Sequence, residues 1–474
     1  MDPLKKNIGL WSAISIVIGS VIGSSIFMKP ATMAGQLGSP PLLIAVWIIA
    51  GIISLFGGMI FAELGSLFPE TGGQYIYLQK TYGNFIAFLY GWSTIAVINT
   101  AGIASVAFVF AEYSGYFYHL PRFDPVTEHA IKLHITFVGD IFPLQNFGVK
   151  MLAISIIGGL TLVNYISVRS GNAIQLIATL VKTAALVLMI FGILFSGSGS
   201  VKNFFTDSSQ FHLSGWSLFA AFMAATTGAF ASYDGWVNVN MVAGEIKDPH
   251  KNLSKSLVIG ICACITIYVL INLAYMYVLP MDKMAASPLV ASVAAEKIMG
   301  VSGGRIIALL IIISTFGATN VNLLTNAWIV FAMGEDGTFF SWAGRVHRRF
   351  NTPGNSIIVM GVWSSLFVIS GSFDALADMF IFMSWVFYGL TAISIFTLRK
   401  KMPGAYRPYK VKPYPLIPII FIVFTLFYLA TTLYGDISDY NKGLSPVINS
   451  VFGLVLTAAG IPLYGYFKKQ NRPK

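Results

Sequence analysis

Two short runs in this chain set small residues, hydroxyls and a carboxylate inside otherwise bulky apolar sequence. The first is Gly19-Ser20-Val21-Ile22-Gly23-Ser24-Ser25-Ile26-Phe27, and the second is Gly228-Ala229-Phe230-Ala231-Ser232-Tyr233-Asp234-Gly235-Trp236. Glycine and serine at that density weaken a helix, and an interrupted helix presents loose backbone N–H groups at one end and loose carbonyls at the other. In apolar surroundings those groups need partners, which a small polar solute can supply. Each run also has a plainer reading, since small residues such as Gly19 and Gly23 let helices pack closely. Asp234 stands apart, because a carboxylate in apolar sequence is costly unless it is used. It could attract a cation, carry a proton, or cap a broken helix by accepting backbone N–H groups.

The elements that must hold these runs are membrane spans. Of 474 residues, 56% are apolar and 10% charged, and the mean hydropathy is +0.73. A water-facing globule carries about 25% charged residues, so this chain lacks the polar surface to cover one. Stretches of about 20 apolar residues predict twelve spans, near 8–35, 41–68, 84–118, 150–169, 172–196, 213–243, 256–280, 304–333, 356–371, 375–398, 414–434 and 445–467. An even number places both termini on one side. With the N-terminus cytoplasmic, basic residues favour the inside loops roughly two to one and Lys182 alone is left within the membrane. That bias accounts for the formal charge of +11 without a nucleic acid partner; the lipid bilayer is the partner expected.

The first stretch follows Lys5-Lys6 as a signal peptide would, but it continues through Gly19–Phe27 with no small-x-small cleavage site, so it reads as a span. Cys262 and Cys264 offer neither a disulfide framework nor zinc spacing. His119, His129 and His134, in the long external loop 119–149, read as a polar cap rather than a metal site. Phosphate-loop, zinc-helix and nucleophile-turn motifs are missing, so neither ATP coupling, a metal, another cofactor nor a membrane-embedded enzyme is expected. A channel would spread polar residues in rings, whereas here they gather at two interruptions. One interruption opens the first five spans and the other opens the next five, the placement of an inverted repeat with broken helices in matching positions. The expected fold is an all-α integral membrane protein of twelve transmembrane helices with helices 1 and 6 broken. Its inverted five-helix repeats would cover 8–196 and 213–398, with two further helices within 414–467 and a cytoplasmic tail, 468–474.

Longer motifs carry a family resemblance. They are Gly23-Ser24-Ser25-Ile26-Phe27; Ala62-Glu63-Leu64-Gly65 with Pro69-Glu70-Thr71-Gly72-Gly73-Gln74-Tyr75; Tyr233-Asp234-Gly235-Trp236; and Glu245-Ile246-Lys247-Asp248-Pro249-His250-Lys251-Asn252. With twelve spans and a lysine in the fifth, the chain resembles the amino acid–polyamine–organocation superfamily and, within it, the L-type amino acid transporter family. The resemblance implies two inverted five-helix repeats plus two helices, and amino acid transport across the plasma membrane, commonly as exchange. Three positions depart from the family pattern: Ser25 replaces a glycine, Ser254 a proline, and Ala231 an aromatic gate residue that Phe230 could restore by a one-residue shift. Eukaryotic members are joined to a heavy subunit through a cysteine in the second external loop. This loop has none, so a stand-alone prokaryotic transporter is expected.

An amino acid needs partners for a carboxylate and an ammonium group. Backbone N–H groups at Gly23, Ser24 and Ser25, at the positive end of a half-helix, suit the carboxylate. Carbonyls around Ala231, Ser232 and Asp234 suit the ammonium, while Val21, Phe230 and Tyr233 would contact the side chain or close the pocket. Glu63 and Glu245 are expected to fix loops or gates. Lys182 lies roughly 15 Å into its span at 1.5 Å per residue. The resemblance places it where sodium-coupled relatives hold sodium, between the first, fifth and eighth spans, with Ser314 and Thr315 as eighth-span oxygens. These three and Gly19 form the expected conformational set. Sodium-independent exchange of neutral L-amino acids is expected, with proton-coupled symport as the alternative.

Overall fold

In lipid a backbone must satisfy its own hydrogen bonds, and helices do so within one segment; apolar helices accordingly carry nearly all of this chain. The computed structural model describes residues 8–70, 72–167, 169–209 and 211–470, with backbone only for 169–181 and 470. Lys5, Lys6, Thr71 and the end of the expected tail lie outside the described residues.

In chain order, the first part comprises α1 (Leu10–Val21), a 3-10 turn (Ser25–Phe27), α2 (Lys29–Leu37), α3 (Pro40–Leu67), α4 (Gln74–Tyr82), α5 (Asn84–Ser93) and α6 (Asn99–Ser114). The external loop holds the short α7 (Pro125–Glu128) and two strands, β1 (Leu133–Ile135) and β2 (Gly139–Ile141). Next come α8 (Phe147–Ile166), α9 (Arg169–Leu194), α10 (Gly215–Tyr233), α11 (Asn238–Met241), α12 (Pro249–Val278) and α13 (Met281–Ala285). The chain continues with α14 (Val290–Glu335), α15 (Gly354–Ser370), α16 (Phe373–Lys401), α17 (Leu416–Asn441), α18 (Asn449–Ala458) and α19 (Gly460–Gln470). Among the described residues, eight stretches are long and apolar enough to cross a membrane alone: α3, Asn84–Ser114, α8, α12, α14, α16, α17 and Asn449–Lys469. Leu10–Val21, Lys182–Leu194 and Gly354–Ser370 are shorter apolar helices.

Two compact units share the chain. The first gathers Met1–Tyr90, Gly199–Ala286 and Ser384–Thr432; the second gathers Gly91–Ser198, Ser287–Met383 and Leu433–Lys474. In the first, α12 packs on α1 and α3, and α10 packs on α2 and α3. Glycines make these approaches close: a Cβ on Gly260 would stand 2.6 Å from Val17, and one on Gly51 would stand 2.6 Å from Ile265. In the second unit α14 lies against α9 and α6, while α15 packs on α8.

Loop 119–149 has regular structure of its own, because β1 and β2 pair antiparallel with His134 opposite Asp140. Asp140 receives Lys132 Nζ at 2.7 Å and His134 Nδ1 at 2.8 Å, contacts that hold its carboxyl below the usual range. Lys29 and Lys150 are buried within the protein, at 2% and 5% exposed, as is Lys182 at 9%. Lys150 buries its stem because its ammonium is satisfied by the carbonyls of Phe142 at 2.8 Å and Ile369 at 3.0 Å.

Candidate functional site

Both predicted interruptions are present, and both lie in the first unit. The last helical bond of α1 runs from Ile22 N–H to Ile18 O at 2.9 Å, after which Ile22, at ψ 91°, turns the chain out of the helix. The chain resumes at Ser24, whose carbonyl accepts from Phe27 N–H at 3.1 Å, and Pro30 sits in the first turn of α2. Pro fits there because the first-turn N–H has no helical acceptor. Ser24 is buried, while Gly23 and Ser25 keep some accessible surface.

The second interruption falls at Asp234 and Gly235, toward the end of the run Gly228–Trp236 that the sequence marks. Ala231 and Ser232 remain in the last turn of α10, which runs to Tyr233 and closes with Asp234 N–H on Phe230 O at 2.9 Å. Alanine is the strongest helix former; the break waits for Asp234, in extended backbone at ψ 156°, and Gly235, at φ +107°. The carbonyls of Ala231, Ser232 and Tyr233 belong to the helix end, where no later turn supplies an N–H to them. The Ser232 hydroxyl is turned back onto Gly228 O at 3.1 Å, so that residue offers its backbone.

The fold brings the two breaks together. A Cβ on Gly235 would collide with the Ser20 carbonyl and stand 3.3 Å from Val21 N. This position therefore requires glycine twice over, for its left-handed φ and for the close approach. From α12, the Tyr268 hydroxyl lies 2.8 Å from both Val21 O and Ser232 O, one carbonyl from each broken helix. A phenol has one proton, so it donates to these carbonyls in alternation. Tyr233 donates to Trp47 O at 3.0 Å, and Asp234 Oδ1 accepts from Tyr388 of α16 at 2.6 Å. Phe230 points its ring into Trp385, with centroids 3.9 Å apart, and beside Phe424 and Tyr428.

A family model described as amino acid permease matches residues 8–456. The chain belongs to the amino acid permease family. It is 30% identical to the serine/threonine exchanger SteT of Bacillus subtilis, over 99% of this chain and 98% of that protein. It is 32% identical to the large neutral amino acids transporter small subunit 2 of Mus musculus, over 99% of this chain and 83% of the relative. The b(0,+)-type amino acid transporter 1 of Mus musculus is 29% identical, over 91% of this chain and 84% of its own length. The permease is thus a multi-pass membrane protein.

Other residues of the permease take different places. Glu63 is 1% exposed and receives both Arg399 Nε at 2.8 Å and Arg399 Nη2 at 2.6 Å, together with Val411 N–H at 2.8 Å. Arg399 also lies over the Tyr414 ring at 3.7 Å. Glu63 thus ties the end of α16 and the following loop onto α3, and because a buried pair broken on one side leaves an uncompensated charge, its loss costs about 3–5 kcal/mol. Glu245 acts through its backbone: its carbonyl accepts Ile8 N–H at 3.1 Å, and Lys247 N–H reaches Ile8 O at 2.8 Å. In the second unit, Lys182 lies on α9 and the buried Ser314 and Thr315 lie on α14, the helix that α9 packs against. Thr315 donates to Ile311 O of its own helix at 2.8 Å. Gly19 is in α1, half a turn before its end. Tyr268, Tyr388 and Trp47 were not singled out from sequence, where each reads as one more aromatic residue in an apolar run. Among the described residues no three His, Cys, Asp or Glu gather in a way that could hold a metal ion.

Proposed function

We propose that this permease is a secondary exchanger of neutral L-amino acids that needs no sodium and binds its substrate at the two helix breaks by alternating access. The observation that carries the reading is the meeting of the broken ends, with Gly235 pressed on Ser20 and Tyr268 reaching Val21 O and Ser232 O. Backbone N–H groups of Gly23, Ser24 and Ser25 take the carboxylate, helped by the positive end of the following half-helix. The terminal carbonyls of α10 take the ammonium, and Val21, Ala231 and Tyr233 shape the side-chain space, while the Phe230 ring is held against Trp385. Relatives named as a serine/threonine exchanger and as a large neutral amino acid transporter favour neutral substrates and exchange.

On this reading the chain has twelve spans in two inverted repeats, 8–196 and 213–398, plus 414–467, with both termini on the cytoplasmic side of the plasma membrane. Loop 119–149 contains no cysteine, so the permease works without a disulfide-linked heavy subunit. Lys182 supplies the fixed positive charge that a sodium ion would otherwise bring, with Ser314, Thr315 and Gly19 in the same conformational set.

Proteoliposomes test the proposal. Preloaded neutral amino acid should drive counterflow equally well in sodium and in choline medium. Ser24→Leu should abolish uptake in a folded protein, and Lys182→Ala should slow exchange more than it weakens binding. Sodium-dependent uptake, or normal uptake by Ser24→Leu, would overturn the mechanism or the site respectively. Uptake driven by a pH gradient into empty vesicles would replace exchange with proton symport.

A further inference from the structure

We infer that the Asp234 carboxylate is the counter-ion of the substrate's α-ammonium group and that Tyr388 positions it, an inference that rests on the binding location proposed above. A carboxylate at this point is poorly explained by the helix itself. Asp234 follows the last residue of α10, at the negative end of the helix dipole, where an anion is disfavoured. An ionised carboxylate only accepts hydrogen bonds, so it cannot satisfy the loose carbonyls there. It does not cap the next helix either, because α11 begins without a side-chain cap. Among the described residues Tyr388 is its hydrogen-bond donor, on Oδ1 at 2.6 Å, and no lysine or arginine pairs with it.

The surroundings give the charge nothing else. Rings of Phe61, Trp236 and Tyr388 stand within 4.9–5.9 Å of one another on its Tyr388 side. Its neighbours Tyr233 and Trp236 are 1% and 2% exposed, yet Asp234 keeps accessible surface. A small group can therefore reach it. An ammonium has three donors, and the ends of the Ala231–Tyr233 segment and the Asp234 carboxylate offer acceptors of both required kinds, neutral carbonyls and one compensating charge. The Tyr388 hydroxyl occupies one carboxylate oxygen and leaves Oδ2 for the ammonium.

Binding of L-serine, L-leucine and L-lysine to the purified full-length permease, read by calorimetry, tests the assignment. Asp234→Asn keeps an acceptor for Tyr388 and removes the charge. It should weaken every amino acid that the unmodified protein binds by about 10- to 100-fold. Tyr388→Phe should weaken them about fivefold alone and have no further effect in the Asp234→Asn background, which a purely structural role for the tyrosine does not predict. Unchanged affinity in Asp234→Asn overturns the inference, as does a loss confined to L-lysine, which would make Asp234 a side-chain selector. If Asp234→Asn does not fold, Tyr388→Phe decides, since undiminished affinity there contradicts the positioning role. Ser24→Leu separates the two levels of argument. If it abolishes binding while Asp234→Asn leaves binding intact, only the counter-ion fails; if it binds normally, the shared location fails.

Discussion

The first interruption is made from neutral residues and ordinary backbone, whereas the second brings a charge and a backbone conformation that only glycine adopts easily. Gly23 is absent from the positive-φ residues, and a Cβ there would meet only Val21 O, at 3.8 Å. Gly235 has φ +107° and no room for a Cβ beside Ser20. Small residues in the two runs therefore do different things. At the first break they leave space near loose donors; at the second they let two backbones touch.

The largest effect should come from testing that contrast directly. Gly235→Ala combines left-handed strain with a backbone collision, so it should destabilise the protein by on the order of 3 kcal/mol and abolish transport, because the breaks can no longer meet. Gly23→Ala should change stability by less than about 1 kcal/mol and reduce uptake only by occupying substrate space. Thermal unfolding in detergent with parallel uptake measurements checks both. Equal melting temperatures for the two variants would remove the distinction.

A smaller effect is expected where the two breaks share a partner. Tyr268→Phe removes the proton donated to Val21 O and Ser232 O while preserving the ring that packs on Trp47 and Tyr233. Leaving a buried acceptor unmet costs about 1–3 kcal/mol. The variant should therefore melt lower and exchange more slowly with its fold intact. A variant with the stability and exchange rate of the unmodified protein would show that the two carbonyls do not depend on this hydroxyl.

The membrane class, the two interruptions and Asp234 were legible because each departs from its local background: glycines and serines among bulky residues, or one carboxylate in an apolar run. Partners were not legible. Tyr268 lies 247 residues beyond Val21, Tyr388 lies 154 beyond Asp234 and Arg399 lies 336 beyond Glu63, and nothing in the sequence near any of them marks the pairing. The residue at which α10 ends was not legible for a related reason. The small residues of the run Gly228–Trp236 look alike in sequence, but Ala231 favours a helix and the Ser232 hydroxyl is accommodated by Gly228 O, so the helix continues to Tyr233. Lys29 and Lys150 show the same limit, since a charge tally assigns a lysine to a side of the membrane without knowing which carbonyls or neighbours let it be buried.

The smallest effect concerns substrate range at the second break. Ala231 stands where an aromatic residue is expected from the family resemblance, and the adjacent Phe230 does not take its place, because that ring is committed to Trp385 at 3.9 Å and to Tyr428 at 5.2 Å. The space beside Ala231 is therefore limited by a methyl group. Ala231→Phe should shift preference toward small amino acids, disfavouring larger ones by about 1–3 kcal/mol for each methylene-sized contact excluded, with the total uptake of a small substrate largely kept. A competition panel of unlabelled amino acids against one labelled substrate in proteoliposomes reads the change. If the profile of Ala231→Phe matches that of the unmodified protein, the side chain of the substrate does not extend past position 231, and the neutral backbone of the first break sets its size instead.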